Sequence, residues 1–163
     1  MINLRKIASI IVFLIVFFRE GKAQTQYNLH NMEIALPSLK GDTLRLSSLN
    51  GKVVLIDFWA SWCGPCRVAN KNLVKLYEKY RNSGFEIFAV SVDEDKDAWI
   101  KAVKKDKATW IQVNDRGGWE GGTAIRWNIQ QLPTSYLFDK KGNILARDPD
   151  KKELERLLKE LLN

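Results

Sequence analysis

Two cysteines separated by two residues are the part of this chain best suited to chemistry. Cys63 and Cys66 lie in the segment WCGPC, where an apolar strand pattern ends and a helical pattern begins. The short spacing lets both sulfurs meet in a small ring, and the unpaired N–H groups of a helix N-terminus favour a thiolate over a thiol. The pattern therefore predicts redox exchange, with Cys63 as the exposed nucleophile and Cys66, one turn inside the helix, as the resolving thiol.

Other uses of a cysteine pair fit this sequence less well. A structural disulfide usually closes a longer loop, because the constraint on the unfolded chain grows with loop length. A zinc site needs more ligands than two cysteines and the single histidine, His30, can supply, so we expect no metal. A pair of inert buried thiols is a general alternative, but a strand-to-helix corner preceded by Trp62 argues against it.

Asp57 is the second candidate for chemistry. It interrupts an otherwise apolar run at residues 53–60, a pattern typical of a central strand that is covered on both faces. Burial raises the pKa of a carboxyl group, so an acid beneath the two sulfurs could take and return the proton of Cys66. The alternative is an aspartate that faces water, but the neighbours Ile56 and Phe58 favour the buried position.

A proline at the start of a predicted strand is the third candidate. Pro133 follows Leu132, and a strand tolerates the missing N–H of proline only at an end or an edge. A cis peptide bond here would free backbone groups beside the sulfurs to pair with an extended substrate peptide; the alternative is an ordinary trans proline in a loop. Trp119, which lies between two pairs of glycines, is expected to be exposed near the same face.

Strand and helix patterns alternate along the rest of the chain, which predicts an α/β fold with helices on both faces of one sheet. Apolar runs and turn residues predict strands at residues 33–39, 43–46, 53–60, 85–92, 110–113, 135–139 and 144–147. Apolar residues at helical spacing predict helices at residues 65–81, after Asp95, at 124–127 and at 149–162. The first two strands should form a hairpin at an edge, and the last two should form another.

Residues 1–23 predict a signal peptide. Arg5 and Lys6 precede an apolar run at residues 7–18, which is shorter than the ~20 residues of an ordinary membrane span. The small residues at the end of the segment fit cleavage after Ala23, and an uncleaved anchor is the alternative. Either way we expect an extracytoplasmic, periplasmic protein in a compartment where disulfides persist. Membrane contact is expected only through this segment, if it is uncleaved.

The remaining sequence predicts a loose lead-in at residues 24–32 and a single domain at residues 33–163. The chain has a net charge of +7, and residues 1–23 account for three of these net positive charges. In the domain, lysines alternate with acidic residues, which is typical of solvated helix faces. No long basic run with interleaved aromatic residues is present, so the composition argues against a nucleic-acid partner.

These residues resemble the thioredoxin family. The segment VLIDFWASWCGPC at residues 54–66 is similar to the thioredoxin active-site segment over its full length, and Leu132-Pro133-Thr134 resembles the family's cis-proline turn. The N-terminal hairpin, the extra helix and strand at about residues 94–113 and the export signal resemble the TlpA/ResA branch of secreted bacterial thiol-disulfide oxidoreductases. The resemblance implies a thioredoxin fold: a central mixed sheet flanked by helices, with an N-terminal β-hairpin and a helix-strand insertion before the cis-proline turn.

The resemblance also implies an activity, which is thiol-disulfide exchange with protein disulfides. The redox-active disulfide Cys63–Cys66 would be its only redox group, with Cys63 as nucleophile, Cys66 as resolving thiol and Asp57 as buried proton carrier, and with no bound cofactor. Members of this branch usually act as reductants in the periplasm and are recharged by a membrane thiol carrier, and some serve cytochrome c maturation. The residues expected to contact substrate are Trp62, Gly64, Pro65, Leu132 and Pro133.

Two positions depart from the pattern of the branch. Ala69 stands where the branch often has a glutamate, and Lys71 stands where it often has a proline that kinks the helix. Without that proline the helix should run straighter. These departures bear on the cytochrome-specific role and on the redox potential more than on the exchange chemistry.

Two other functions are alternatives on the sequence alone. A peroxidase of the neighbouring thioredoxin-fold class would need a peroxidatic cysteine in a Pro-x-x-x-Thr-x-x-Cys setting, which this chain lacks. A non-enzymatic binding module could use the apolar rim around Trp62 and Leu132 as a docking surface. The intact cysteine pair favours catalysis over both.

Overall fold

The computed structural model describes residues 32–162 of the chain. The predicted signal peptide at residues 1–23 and nearly all of the predicted lead-in lie outside these residues. Within the described part, no helix combines the length and the apolar composition that a membrane span requires.

Residues 32–162 contain seven β-strands, five of which form one mixed sheet. The strands are β1 (Ala35–Pro37), β2 (Thr43–Arg45), β3 (Val53–Trp59), β4 (Phe85–Ser91), β5 (Ile111–Asn114), β6 (Thr134–Phe138) and β7 (Ile144–Arg147). The sheet has the order β5-β4-β3-β6-β7, in which β3, β4 and β5 are parallel and β6 is antiparallel to both of its neighbours. The predicted mixed sheet is confirmed.

Helices cover both faces of this sheet, as the pattern of elements predicts. The α-helices of the described residues are α1 (Gly64–Tyr80), α2 (Lys96–Asp106), α3 (Gly122–Arg126) and α4 (Lys151–Leu162). Helices α1 and α2 each connect neighbouring parallel strands, so right-handed crossovers place both on the same face of the sheet. Helix α4 packs beside α1 on that face. On the other face, Trp127 follows α3 and packs against Phe58 and Phe138.

Strand β3 is the centre of the molecule and carries the predicted acid. All seven of its residues are buried, because it has a strand on each side and helices on each face. Its apolar run therefore shows no alternation, and Asp57 is its polar exception. The cross-strand neighbours of Asp57 are Ala89 on β4 and Ser135 on β6.

The N-terminal hairpin protects one edge of the sheet. Strands β1 and β2 pair in antiparallel register around a turn that contains Gly41 at φ +95°. Ser38, just after β1, forms a bridge with Val113 on the outer strand β5. The hairpin therefore lies against the edge that the predicted helix-strand insertion, α2 and β5, adds to the sheet.

The predicted strands and helices agree with the observed ones to within two residues at each end. The apolar stripes are also buried as their spacing predicts. The buried leucines of α1 and α4 are Leu73, Leu76, Leu154 and Leu158. Asp95 begins α2 by accepting hydrogen bonds from the N–H groups of Asp97 and Ala98.

Candidate active site

The two cysteines form a disulfide at the corner between β3 and α1. Their Cα atoms are 5.3 Å apart, and Cys63 is the N-cap residue of the helix, whose first turn contains Pro65. The backbone N–H of Cys66 donates to Cys63 Sγ over 3.2 Å. The helix N-terminus therefore presents both a hydrogen-bond donor and its positive dipole end to the first sulfur.

The exposure predicted for Cys63 is wrong for the disulfide form. Cys63 is 6% exposed and Cys66 is 1% exposed, so both residues are buried. The reason is that larger apolar side chains, among them Trp62 and Leu132, surround the first sulfur in an open groove. Cys63 is nevertheless the more accessible of the two, and it is the one that lines the groove.

An apolar groove surrounds Cys63 and includes most of the predicted substrate contacts. It is lined by Trp62, Cys63, Pro65, Trp119 and Leu132. Trp62 is 66% exposed and Trp119 is 40% exposed, which agrees with the predicted position of Trp119 near this face. Gly64 is exposed in the first turn of α1. Two large exposed apolar side chains thus share one groove with the first sulfur.

A tight loop presents Trp119 to the groove. The Asp115 carboxylate accepts hydrogen bonds from the N–H groups of Gly117 and Thr123 and holds the loop closed. A Cβ atom at Gly121 would lie 2.7 Å from the carboxyl atoms of Asp115, so no larger residue fits there. A Cβ atom at Gly117 would likewise lie 2.6 Å from Gly121 Cα, so close packing requires glycine on both sides of the tryptophan.

The Leu132–Pro133 peptide bond is cis, as the family resemblance implies. It immediately precedes β6, which begins at Thr134 and pairs with Phe58 on β3. Leu132 lines the groove at Cys63, whereas Pro133 lines a separate cavity beside α1. The proline turn therefore separates the groove from the cavity.

This second cavity, which α1 covers, contains Asp57, and neither cysteine is among its lining residues. It has a volume of about 240 Å³, and its lining includes Asp57, Ala69, Pro133 and Asp148. Asp57 is 4% exposed. Burial, and secondarily the negative charge of Asp148, raises the pKa of Asp57 to about 7. The predicted buried position is confirmed, and Ala69 leaves space where a glutamate side chain would project.

Asp93 positions the turn that leads into the cysteine motif, a role that no local sequence signal marks. It lies just past the end of β4 and is buried. Its carboxylate accepts hydrogen bonds from the backbone N–H of Ser61 at 2.9 Å and from the Ser61 hydroxyl at 2.6 Å. The Ser91 hydroxyl donates to the same group at 2.8 Å. The turn before Trp62 is thereby fixed to the end of the neighbouring strand.

Arg67 ties the active-site helix to the insertion, which the sequence does not predict either. Its guanidinium forms an ion pair with Asp106 at the end of α2, and Nη1 donates to the carbonyl oxygen of Ser61 at 3.1 Å. Burial acts in the opposite direction, but hydrogen bonds from Arg67 and Asn70 hold the pKa of Asp106 below its usual range. The only sequence signal was the position of Arg67 directly after Cys66.

The two departures from the branch pattern have different surroundings. Ala69 is half-buried at the cavity, whereas Lys71 is exposed. Helix α1 continues without interruption through both positions from Gly64 to Tyr80.

Within residues 32–162, no group of three histidine, cysteine or acidic side chains is placed to hold a metal ion.

Comparison with known proteins places this site in a family. The sequence profile of the AhpC/TSA family matches residues 29–147. The thiol-disulfide oxidoreductase ResA of Bacillus cereus is 31% identical over 147 residues, which cover 88% of this chain and 83% of that protein. ResA of Geobacillus kaustophilus is 34% identical over 132 residues, which cover 79% of this chain and 74% of that protein.

Solved structures show the same similarity. A thiol-disulfide oxidoreductase from Bacteroides fragilis superposes with a TM-score of 0.74 at 41% identity and covers 80% of this chain and 97% of its own. A thiol:disulfide interchange protein from Bacteroides sp. superposes with a TM-score of 0.73 at 31% identity, covering 80% of this chain and 86% of its own. Since these matches include the fold and the region of the cysteine pair, the chain belongs to the AhpC/TSA family and is a thiol-disulfide oxidoreductase with a thioredoxin-like fold.

Proposed function

We propose that this protein reduces disulfides of other proteins outside the cytoplasm, with Cys63 and Cys66 as its electron-carrying pair. The observation that carries the proposal is the position of the pair at the start of a 17-residue helix, with Cys63 in an apolar groove. The same helix lines the cavity of a buried acid, Asp57. Protein disulfides as the substrate class are supported by the relative named as a thiol:disulfide interchange protein.

Cys63 is the nucleophile of the proposed reaction. In the reduced protein its thiolate would keep the N–H of Cys66 as a hydrogen-bond donor, and the helix dipole lowers the cost of its negative charge. The thiolate attacks a substrate disulfide, whose bond breaks so that one substrate sulfur leaves as a thiolate. A mixed disulfide then joins Cys63 to the substrate.

Cys66 resolves this mixed disulfide with the help of Asp57. The Asp57 carboxylate takes the proton of the Cys66 thiol, and the thiolate attacks Cys63 Sγ, which releases the second substrate sulfur and restores the intramolecular disulfide. An acid with a pKa of about 7 is populated in both forms at neutral pH, so it can also return the proton. Ala69, three residues after Cys66 on α1, lines the cavity that Asp57 lines, so the helix that carries Cys66 also covers the acid.

The groove supplies the proposed substrate contacts. Trp62, Pro65, Trp119 and Leu132 line the groove. Gly64 and Pro133 are their sequence neighbours and complete the proposed set. An extended peptide would place its disulfide over Cys63 and pair its backbone with the groups beside the proline turn. The two exposed tryptophans favour substrates with apolar side chains next to the reacting cysteine, because such side chains bury area against both rings.

A membrane thiol carrier is the proposed electron donor, and the periplasm is the proposed compartment. The signal peptide predicted at residues 1–23 supports export. The donor thiolate would attack the Cys63–Cys66 disulfide and regenerate the dithiol. The reduction potential tests the direction of electron flow: a value near ~−270 mV indicates a reductant, and a value near ~−120 mV indicates an oxidant.

Reduction of insulin disulfides with dithiothreitol as donor tests the activity. The wild-type protein is expected to accelerate the reaction, and Cys63→Ser should abolish the acceleration. Cys66→Ser should instead accumulate a mixed disulfide between Cys63 and insulin, visible by mass spectrometry and reversed by excess thiol. A wild-type rate no higher than that of Cys63→Ser would refute the proposed reductase, as would an equal lack of adduct in both variants.

A further inference from the structure

Asp148 is a charged residue that takes no part in the proposed exchange between Cys63, Cys66 and Asp57. Its backbone conformation is unusual. It follows β7 directly and has φ +50°, a left-handed conformation that non-glycine residues rarely adopt. Its backbone N–H donates to the carbonyl oxygen of Ser135 at 2.9 Å. The N–H of Ser135 donates in return to Asp148 Oδ1 at 2.6 Å. Both backbone groups of Ser135 therefore fix the position of this carboxylate.

The same serine is the cross-strand neighbour of Asp57. Ser135 on β6 pairs with Asp57 on β3, and directly paired residues of neighbouring strands place their side chains on the same face of a sheet. Ser135, Asp57 and Asp148 accordingly line one cavity. Asp57 lies buried inside it, whereas the Asp148 side chain is 40% exposed and so stands at its solvent side.

Few other charges face this cavity. The lining residues from α1 and β6 are uncharged, and so is Ala89, the neighbour of Asp57 on β4. Asp150 and Lys151 at the start of α4 line the cavity with opposite charges, and Arg147 pairs with Asp148 at 3.4 Å. Asp148 is thus the negative group that the β-sheet backbone itself holds next to Asp57.

We propose that Asp148 is a positioning residue for proton transfer: its fixed carboxylate favours the protonated form of Asp57 while the disulfide is intact. This inference rests on the proposed role of Asp57 as the proton carrier of Cys66. A donor thiolate attacks Cys63 Sγ and forms a disulfide with it as the Cys63–Cys66 bond breaks. Cys66 Sγ leaves with the electron pair of that bond and takes the proton of Asp57. The Asp57 carboxylate then regains a proton from water that enters past Asp148.

The charge of Asp148 acts on Asp57 in the direction that the proposal requires. The negative charge of Asp148 disfavours a second negative charge on Asp57, and this effect adds to that of burial in raising the pKa of Asp57 to about 7. Salt should weaken the contribution of Asp148, because its side chain is partly exposed to solvent.

The test is a carbon-13 NMR titration of the Asp57 carboxyl group in the oxidised protein, where neither cysteine can titrate. Asp148→Asn is the decisive variant, because asparagine tolerates a positive φ and keeps an oxygen that accepts the Ser135 N–H. We expect its Asp57 midpoint to lie about half a pH unit below that of the wild type. Asp150→Asn, a change of equal charge at the same cavity, is the matched control. The Asp150 carboxylate is exposed and accepts the N–H groups of Lys152 and Glu153 instead of a strand N–H, so the Asp57 midpoint should move by no more than about 0.1 unit.

A kinetic measurement provides a second readout. At pH 7, reduction of the disulfide by dithiothreitol should be about twofold slower in Asp148→Asn, because a smaller fraction of Asp57 is protonated. Lowering the pH should remove this difference. The ratio of variant to wild-type rates cancels the titration of dithiothreitol itself.

Asp148→Gly covers the case in which the asparagine variant does not fold, since glycine adopts φ +50° without strain. An Asp57 midpoint unchanged in the folded variants, with a normal titration in the wild type, would overturn the role of Asp148 and leave Asp57 as proton carrier. A wild-type protein in which Asp57 does not titrate between pH 5 and 9 would instead overturn the proposed role of Asp57, and this inference with it.

Discussion

Replacement of Asp57 by asparagine should remove a pH-dependent loss of stability. The folded protein raises the pKa of Asp57 from its ordinary value of 3.8 to about 7, first through burial. The folded state therefore keeps a proton that the unfolded chain has already released, and the free energy of unfolding falls as the pH rises through this window. By linkage, the loss amounts to about 2–3 kcal/mol between pH 5 and pH 8, and to about 4 kcal/mol in full. Asparagine cannot ionise, so the variant should not show this loss of stability.

Urea unfolding of the oxidised proteins at pH 5, 6, 7 and 8 measures this effect. The free energy of unfolding of the wild type minus that of the variant isolates the contribution of Asp57. Other titrating groups contribute equally to both proteins, and disulfide-bonded cysteines do not titrate. Equal m-values would show that the same surface is exposed in both. A difference that stays constant from pH 5 to pH 8 would refute the argument that Asp57 is a buried acid with a raised pKa.

Three other substitutions test the surroundings of the disulfide. Trp119→Ala should raise the KM for insulin about fivefold and leave kcat little changed, because about 1 kcal/mol of apolar contact is lost; a fall in kcat alone would contradict a binding role. Arg67→Ala leaves Asp106 buried without its cation and should cost about 2–3 kcal/mol in urea unfolding, so a loss under about 0.5 kcal/mol would contradict the ion pair. Gly121→Ala forces a Cβ atom onto the Asp115 carboxylate and should cost about 1–3 kcal/mol, seen as a lower Tm; an unchanged Tm would contradict the close packing.

The sequence was sufficient to predict the strands, helices and site residues whose signals lie in a short stretch of the chain. The continuous apolar run before Cys63 predicted a central strand, because only a strand covered on both faces buries every side chain. The same run made Asp57 conspicuous as a buried acid, and the proline before a strand pattern marked the turn at Pro133. The cysteine spacing and the helix start predicted the disulfide at the helix N-terminus.

Partners that lie far apart in the chain left no such signal. Asp106 is 39 residues from Arg67, and its sequence neighbourhood is that of an ordinary charged helix end. Asp148 follows a strand like many exposed aspartates, and only the pairing of β6 with β3 brings it to the cavity of Asp57. The exposure of Cys63 was predicted wrongly for a similar reason, because the groove walls come from separate loops.

The bridge between Ser38 and Val113 has a consequence for self-association. An open strand edge can recruit a strand from a second molecule, and this is a common route to polymerisation. Here the hairpin occupies that border beside β5, and the opposite border, β7, is a four-residue strand that Arg147 ends. Both flanks of the five-stranded sheet are therefore poor templates for unwanted strand addition.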